Sequence, residues 1–537
     1  MRGRMMDFPL TLPTLLERAK NQFSRVELVW RRPDKSVSRY TFGDLYRRSR
    51  ALAEALARVG LKKGDRVASL MWNNAAHVEA YLGVPVAGGV LHTLNLRLHP
   101  SELTFIANHA DDRFLIVDDV LLPCLESFRR EAHFERIFVV PSSGAPVPAG
   151  FENYEFLLAT ANGTFAYPTL DENDAAVMCF TSGTTGRPKG VVYSHRSIIL
   201  HSLAQAMKDS FSVGHQDTVL IMTPMFHANA WGLPITSVLT GAKLVLPGQH
   251  GDAESLLRLI VSENVSIACG VPTVWLGILE ELERNPGKWK LPREVSAPSG
   301  GSAPPESLIR ALDRHGIHIT HSWGMTETSP LATTTGLRTY MEDWPDDEKY
   351  KVRSRQGWAS PFIEVRITRD GREAPRDGQT AGDLEVRGPW VASSYHNAPE
   401  EQRSWTPDGW FRTGDVATMD ADGYIRLVDR SKDLIKSGGE WISSVDLENA
   451  VMGHPAVKEA AVIGVPHPKW EERPLAVVVL KQDAKATPEE LRAFLAARFA
   501  KWQIPDAFIF VDAIPRTSVG KFLKSKLRDQ CAGWKWE

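Results

Sequence analysis

The chain has 537 residues, more than one typical domain and enough to bury several cores. A hydrophobic content of 43% and a charged content of 24% are ordinary for a globular protein. The net charge of −2 excludes a broad nucleic-acid footprint, which needs a strong positive field.

Four cysteines, Cys124, Cys179, Cys269 and Cys531, stand too far apart for metal-ligand spacing and suit a reducing compartment. The N-terminus lacks the apolar core of a signal peptide, because Asp7, Pro9 and Pro13 interrupt it. No apolar run reaches the roughly 20 residues of a membrane span. Ser525-Lys526-Leu527 spells a peroxisomal tripeptide but lies inside the chain. The expected location is the cytoplasm.

In chain order, Thr14 with Glu17 predicts a capping box that opens a helix through about Gln22. Thr41 predicts a second cap, for a helix whose apolar face carries Leu45, Leu52, Leu56 and Val59 and which stops at Gly60. A strand at 67–71, a helix through 77–80 and strands near Val90 and at 114–117 continue the pattern. This βαβ rhythm predicts a largely parallel sheet covered by helices, extending to about residue 425 with strands at 219–221, 243–246 and 385–387. The charged stretch 429–433 reads as an exposed linker. Beyond it, strands at 459–463 and 475–480 and a helix opening at Thr487-Pro488-Glu489-Glu490 predict a small α+β domain.

The most informative segment is the loop 181–190, between expected strands at Phe180 and 191–193. It packs four hydroxyls (Thr181, Ser182, Thr184, Thr185), three glycines (Gly183, Gly186, Gly190) and the cations Arg187 and Lys189. Glycines allow close backbone approach and aim N–H groups into a concavity that suits an anion, so the loop reads as a polyphosphate cradle. It is neither a Walker A nor a dinucleotide-binding sequence. By itself, a flexible hairpin would explain it as well.

Four other segments acquire meaning only in company. Gly300-Gly301-Ser302-Ala303-Pro304 suits backbone approach to a flat ring. His321-Ser322-Trp323-Gly324-Met325-Thr326-Glu327 offers an aromatic plate and a carboxylate fit for Mg2+, which takes one or two carboxylates plus phosphate oxygens. Thr413-Gly414-Asp415 ends a predicted strand with a carboxylate of the kind that accepts from ribose hydroxyls. Pro515-Arg516-Thr517-Ser518-Val519-Gly520-Lys521 places one lysine on a loop near the C-terminus.

In this order and spacing the segments resemble the adenylate-forming (AMP-binding) superfamily along essentially the whole chain. Phe226-His227-Ala228-Asn229-Ala230-Trp231 and Lys436-Ser437-Gly438-Gly439-Glu440-Trp441-Ile442-Ser443 resemble its bacterial medium- and long-chain fatty acyl-CoA synthetase branch. The implied fold is α/β: a large N-terminal domain, 1–430, of packed mixed and parallel sheets with helices, and a small mobile α+β domain, 431–537, hinged near Lys432. The implied reaction is ATP-dependent adenylation of a carboxylic acid followed by thioester formation with coenzyme A.

By the same resemblance, Thr181, Ser182, Gly183, Thr184, Thr185, Gly186 and Lys189 would hold the phosphates, with Thr184 and Glu327 near Mg2+. Gly301, Ser302, Ala303, Pro304, His321, Trp323, Gly324, Met325 and Thr326 would surround the nucleotide, and Asp415 and Arg430 the ribose. Lys521 would bridge the carboxylate and the α-phosphate in the first step only. Rotation about Lys432 would then bring Lys436, Ser437, Gly438, Gly439, Glu440 and Trp441 to the site for CoA. Catalysis would rest on Lys521, Glu327, Thr184 and His227. Trp323 stands where many members have tyrosine, which implies loss of a phenolic hydrogen bond.

His227, Trp231, Val271, Gly300, Met325 and Pro330 would line the acyl pocket. This apolar lining favours an uncharged aliphatic or thioether acid, since a buried unpaired charge is costly. A medium-chain fatty acid is expected, with a short-chain acid or 3-methylthiopropionate as the alternative and Trp231 as a candidate gate. A peptide-synthetase domain would carry an Asp near 226–231, where this chain has His227 and Asn229. A luciferase-type oxidase would share the same scaffold. A non-catalytic nucleotide-binding scaffold would be expected to lose Lys521 or Glu327, and both are present. Expected partners are the acid, ATP and CoA, with no nucleic acid and no stable membrane insertion. A homodimer is the expected assembly.

Overall fold

A computed structural model describes residues 1, 3–181, 187–437, 440–517 and 521–536. Two large sheets organise the first part of the chain. The seven-stranded sheet runs Glu152–Asn153, Arg136–Val140, Asp112–Asp118, Arg66–Leu70, Val90–Thr93, Ala175–Phe180, Gly190–Ser194. All its pairs are parallel except the last, the hairpin that flanks the 181–190 loop. The nine-stranded sheet has a parallel centre from Ile317–Gly324 to Glu27–Arg31, with antiparallel strands Leu331–Thr334 and Val37–Thr41 beside its two ends.

The helix Ala75–Val86 is buried along its whole length. Its sequence is apolar on nearly every face, which suits a helix enclosed on all sides. It touches strands of both sheets and joins them in one core.

Several expectations hold locally. Thr41 caps Phe42–Arg58 through a reciprocal box with Asp44, and Thr487 caps Pro488–Ala496 with Glu490. The first helix departs from expectation. Leu12–Phe23 starts before Thr14, with Thr11 at the cap position and no side-chain cap bond. Pro13, whose fixed φ suits a helix's first turn, marks the true start.

The βαβ rhythm also stops earlier than 425. Residues Glu364–Arg430 form a five-stranded antiparallel sheet, ordered Arg372–Glu373, Glu364–Arg369, Gly382–Arg387, Phe411–Met419, Ile425–Arg430. Parallel pairing needs a crossover of a dozen or more residues. The link from Met419 to Ile425 is far shorter and turns at Gly423, whose φ is +84°. Asp415 therefore sits inside a strand rather than at its end.

The last part of the chain builds its own sheet from Glu440–Ile442, Ile435–Ser437, Glu471–Leu480, Val457–His467 and Ala507–Phe510. Alternation along the long strands feeds two cores. Ala460, Val462, Ala476 and Val478 pack with Leu447 and Leu491. Ala461, Ile463, Leu475 and Val477 pack with Leu527. Among the described residues, no helix is long and apolar enough to cross a membrane.

Candidate active site

A cavity of about 370 Å³ opens where the two large sheets, the antiparallel sheet and the C-terminal unit meet. It gathers residues from distant stretches of sequence, among them Thr181 and Lys189, His227 and Trp231, Trp323 to Glu327, Arg430 to Lys432, and Lys521. A second cavity of about 800 Å³ continues from it between the large and small units, past Ser302, Ala303, His321 and Asp415.

The neck of the 181–190 loop is closed by hydrogen bonds. Thr181 N–H donates to Lys189 O at 2.9 Å, and Lys189 N–H donates to Thr181 Oγ1 at 3.1 Å. Lys189 Nζ pairs with Glu401 at 2.8 Å and lies 5.0 Å from the centre of the Tyr395 ring. Ser182, Gly183, Thr184, Thr185 and Gly186 lie outside the described residues.

The strand Ile317–Gly324 delivers the aromatic plate, and a register shift between Trp323 and Gly324 turns the chain into the short turn Thr326–Thr328. Only glycine fits at 324, because a Cβ there would stand 1.8 Å from Pro330 O. Glu327 is buried, and Tyr395 Oη donates to its Oε1 at 2.5 Å. Burial pushes its carboxyl up, against the Tyr395 hydrogen bond and the charges of Arg430 and Lys189. A desolvated carboxylate suits a hard divalent cation.

Trp323 makes a hydrogen bond of its own through the indole. Its Nε1–H donates to Asp415 Oδ2 at 2.9 Å, and Arg430 Nε meets Asp415 Oδ1 at 2.6 Å. Asp415 and Arg430 face each other across neighbouring strands. His321 Nδ1 lies 2.9 Å from Ser354 O, and burial drives its pKa down to about 4.

The Phe226–Trp231 segment has an unusual backbone. Ala228, Asn229, Ala230 and Trp231 have φ of +42°, +55°, +46° and +60°. L-residues avoid this region, at roughly 1–2 kcal/mol each, so surrounding contacts must hold the turn. Tyr81 Oη donates to Asn229 Oδ1 at 3.1 Å, and Gln205 Nε2 donates to Trp231 O at 2.5 Å. The turn lays the Trp231 ring over Gly300, where a Cβ would come within 2.2 Å of the indole. His227 is neutral near pH 7, since burial and the charges of Lys521 and Arg97 push its pKa down to about 3.

Lys521 reaches the cavity from the C-terminal unit. Thr517 N–H donates to Lys521 O at 2.7 Å, and Lys521 N–H donates to Thr517 Oγ1 at 3.1 Å. Its Cε is 3.3 Å from where a Cβ of Gly301 would stand. Burial and Arg430 lower its pKa to about 8, while Asp415 and Glu327 resist the shift.

Val271, Met325 and Pro330 line the same cavity, whereas Pro304 lines neither cavity. Lys436, Ser437, Glu440 and Trp441 also line neither. They form a hairpin on the small unit, where Lys436 pairs with Glu471 and Arg473 donates to Ser437 Oγ. Gly438 and Gly439 lie outside the described residues. Sequence reasoning missed Tyr395 and Arg97. Neither sits in a recognisable pattern, and only tertiary contact brings them to Glu327 and His227.

A cavity that brings buried Glu327 together with a lysine from a separate unit suits a nucleotide-dependent ligase, and the sequence comparison agrees. Residues 15–396 match the AMP-binding enzyme family, and residues 446–521 match the AMP-binding enzyme C-terminal domain. The chain belongs to the AMP-binding enzyme family. It is 47% identical over 529 residues to a long-chain-fatty-acid–CoA ligase of Thermus thermophilus, covering 98% of this chain and 96% of that one. It is 43% identical over 538 residues to a 3-methylmercaptopropionyl-CoA ligase of Ruegeria lacuscaerulensis, covering 99% of each. A crystal structure of an anthranilate CoA ligase in complex with anthranoyl-AMP superposes with a TM-score of 0.87 at 25% identity, covering 98% of both chains.

Proposed function

We propose that the cavity activates an uncharged aliphatic carboxylic acid, of medium chain length, for transfer to coenzyme A. The chain is an AMP-forming acyl-CoA synthetase. The acid's carboxylate attacks the α-phosphate of ATP, releasing pyrophosphate. The CoA thiol then attacks the acyl-AMP carbonyl and releases AMP. The carboxylate is already ionised near neutral pH, so the first step needs no general base. The obstacle is an anion attacking an anion, and positioning and electrostatics must overcome it.

One observation carries the assignment of roles: Lys521, from the C-terminal unit, shares a cavity with Glu327, His227 and Trp323. Its ammonium would hold the acid's carboxylate against the α-phosphate. Trp323 would stack on adenine, and Asp415 with Arg430 would accept and orient the ribose. Neutral His227 would leave the acyl pocket uncharged. Glu327, with Thr184, would hold Mg2+, which when bound with ATP offsets phosphate charge. Lys436, Ser437, Glu440 and Trp441 line neither cavity in this arrangement, which supports a rotation about Lys432 before CoA is used. That rotation would place the boundary between the large and small domains at 430/431. Four free cysteines support a cytoplasmic location.

A specific observation favours a second reading, an acid with only a few carbons beyond the carboxylate. Trp231 covers Gly300 and closes that side of the cavity. Medium-chain acids would require its ring to swing away. Pyrophosphate release across straight-chain acids of four to twelve carbons, with and without CoA, tests both readings. A maximum at the shortest acids would overturn the medium-chain assignment. Absence of release with every acid would overturn the adenylation itself.

A further inference from the structure

One stretch of irregular chain, 392–401, reaches two separate parts of the active cavity. It lies in the connection between the strands Gly382–Arg387 and Phe411–Met419. Two of its residues hold Glu327: Ala392 N–H donates to Glu327 O at 2.7 Å, and Tyr395 Oη donates to Glu327 Oε1 at 2.5 Å. Two others hold the neck of the 181–190 loop. His396 N–H donates to Gly190 O at 2.8 Å, and Glu401 meets Lys189 Nζ at 2.8 Å. The approach at Gly190 is close, since a Cβ there would stand 3.0 Å from the Phe180 ring and 3.3 Å from His396 Cβ.

The stretch is itself anchored. Trp405 Nε1–H donates to Ala392 O at 2.7 Å, and its ring lies 5.2 Å from that of Tyr395, both rings being buried. Before it, Ser329 Oγ donates to Trp390 O at 2.7 Å and Trp390 Nε1–H donates to Leu331 O at 2.9 Å. A connection with so many fixed backbone and indole bonds is a strap rather than a surface loop.

Tyr395 is where the two halves meet. Its hydroxyl orients the Glu327 carboxylate, and its ring lies 5.0 Å from Lys189 Nζ. A hydrogen bond to an ionised carboxylate is stronger than a neutral one and fixes its direction. A lysine on a long flexible stem gains direction from a carboxylate and an aromatic face.

We propose that the strap 392–401 sets the geometry of the polyphosphate end of the ATP site, with Tyr395 as the positioning residue that holds Glu327 and Lys189 in one frame. The inference rests on the reading of Glu327 as the carboxylate that takes Mg2+. The strap then serves ATP bound with its metal. AMP lacks the β- and γ-phosphates and does not depend on the strap.

Calorimetric titration of the full chain tests it, with ATP in Mg2+, ATP in EDTA, and AMP, all without acid so that no turnover occurs. Mg2+ is expected to tighten ATP binding in the parent, and Glu327→Gln to remove that tightening. Tyr395→Phe keeps the ring and deletes the hydroxyl. It is expected to weaken ATP binding in Mg2+ by about tenfold, the low end for losing a partner of a metal-binding carboxylate, and to leave ATP in EDTA and AMP unchanged. Melting temperatures confirm that the variants are folded. Should Tyr395→Phe fail to fold, Trp405→Phe, which deletes the donor to Ala392 O, is expected to show the same selective loss. If Glu327→Gln loses the Mg2+ effect while the strap variant keeps it, the strap role is overturned. If Glu327→Gln keeps it, the metal reading of Glu327 fails and the inference with it. Equal weakening of all three titrations in the strap variant would show general loosening and also overturn the role.

Discussion

Trp323 and Asp415 are 92 positions apart in sequence, yet the Trp323 indole N–H donates to Asp415 Oδ2 at 2.9 Å. The bond joins a strand of the nine-stranded sheet to a strand of the antiparallel sheet, and Arg430 completes it from the neighbouring strand. Asp415 is thereby fixed on both oxygens beside the larger cavity. Replacing Trp323 by Phe keeps an aromatic plate and deletes the donor. Leaving a buried acceptor short of a partner costs about 1–3 kcal/mol. The expected outcome is a KM for ATP raised about tenfold, since about 1.4 kcal/mol is one decade, with kcat less affected. Steady-state kinetics with saturating acid and CoA check it. An unchanged KM would detach Asp415 from ATP binding.

Lys521→Ala should divide the reaction. ATP-dependent formation of acyl-AMP is expected to fall by more than a hundredfold, whereas conversion of supplied acyl-AMP to thioester is retained. Single-turnover assays of each half-reaction measure this. Equal loss in both would show that Lys521 serves no step-specific role.

The pKa of Lys521, lowered to about 8 by burial and Arg430, has a direct kinetic consequence. The protonated amine is the form that can hold two anions. kcat/KM for adenylation reports groups of the free enzyme. It should therefore be full below pH 8 and fall as pH rises through about 8, well before an ordinary lysine would deprotonate. His227, with its pKa near 3, adds no limb around pH 6. In Lys521→Arg the guanidinium stays charged, so the alkaline fall should disappear even if the rate is lower. Persistence of the same limb in that variant would assign it to another group.

Trp231→Ala should move acid preference toward longer chains. The ring lies over Gly300, so its removal opens space on that side of the cavity. A ratio of kcat/KM for twelve- over four-carbon acids raised at least tenfold is expected, because a few methylenes are worth about 1–3 kcal/mol in a fitted pocket. A competing-substrate assay reads the ratio directly. If the ratio does not change, Trp231 is core packing.

Lys432→Pro tests the pivot. Asp433 and Leu434 N–H both donate to Arg430 O, while Lys432 N–H makes no backbone bond among the described residues. Proline there removes no hydrogen bond and fixes φ. Thioester formation should slow at least tenfold more than adenylation. Equal rates for both half-steps would place the rotation elsewhere.

The sequence by itself determined what local chemistry can encode. The caps at Thr41 and Thr487 were legible because each writes donor and acceptor within three residues. The loop 181–190 stood out because its glycines and hydroxyls are contiguous, and the strands at 459–463 and 475–480 because they are mostly continuous apolar runs, buried on both faces. Tertiary structure decided what depends on distant partners. Trp323 finds Asp415, Glu327 finds Tyr395 and Lys521 reaches Gly301 only because separate sheets are packed together. The antiparallel sheet at 364–430 escaped the βαβ reading because strand direction is set by the length of the connection rather than by apolar content. The left-handed turn at Ala228–Trp231 left no trace in composition: none of its four residues is glycine, and contacts from Tyr81 and Gln205 hold a backbone that the sequence alone disfavours.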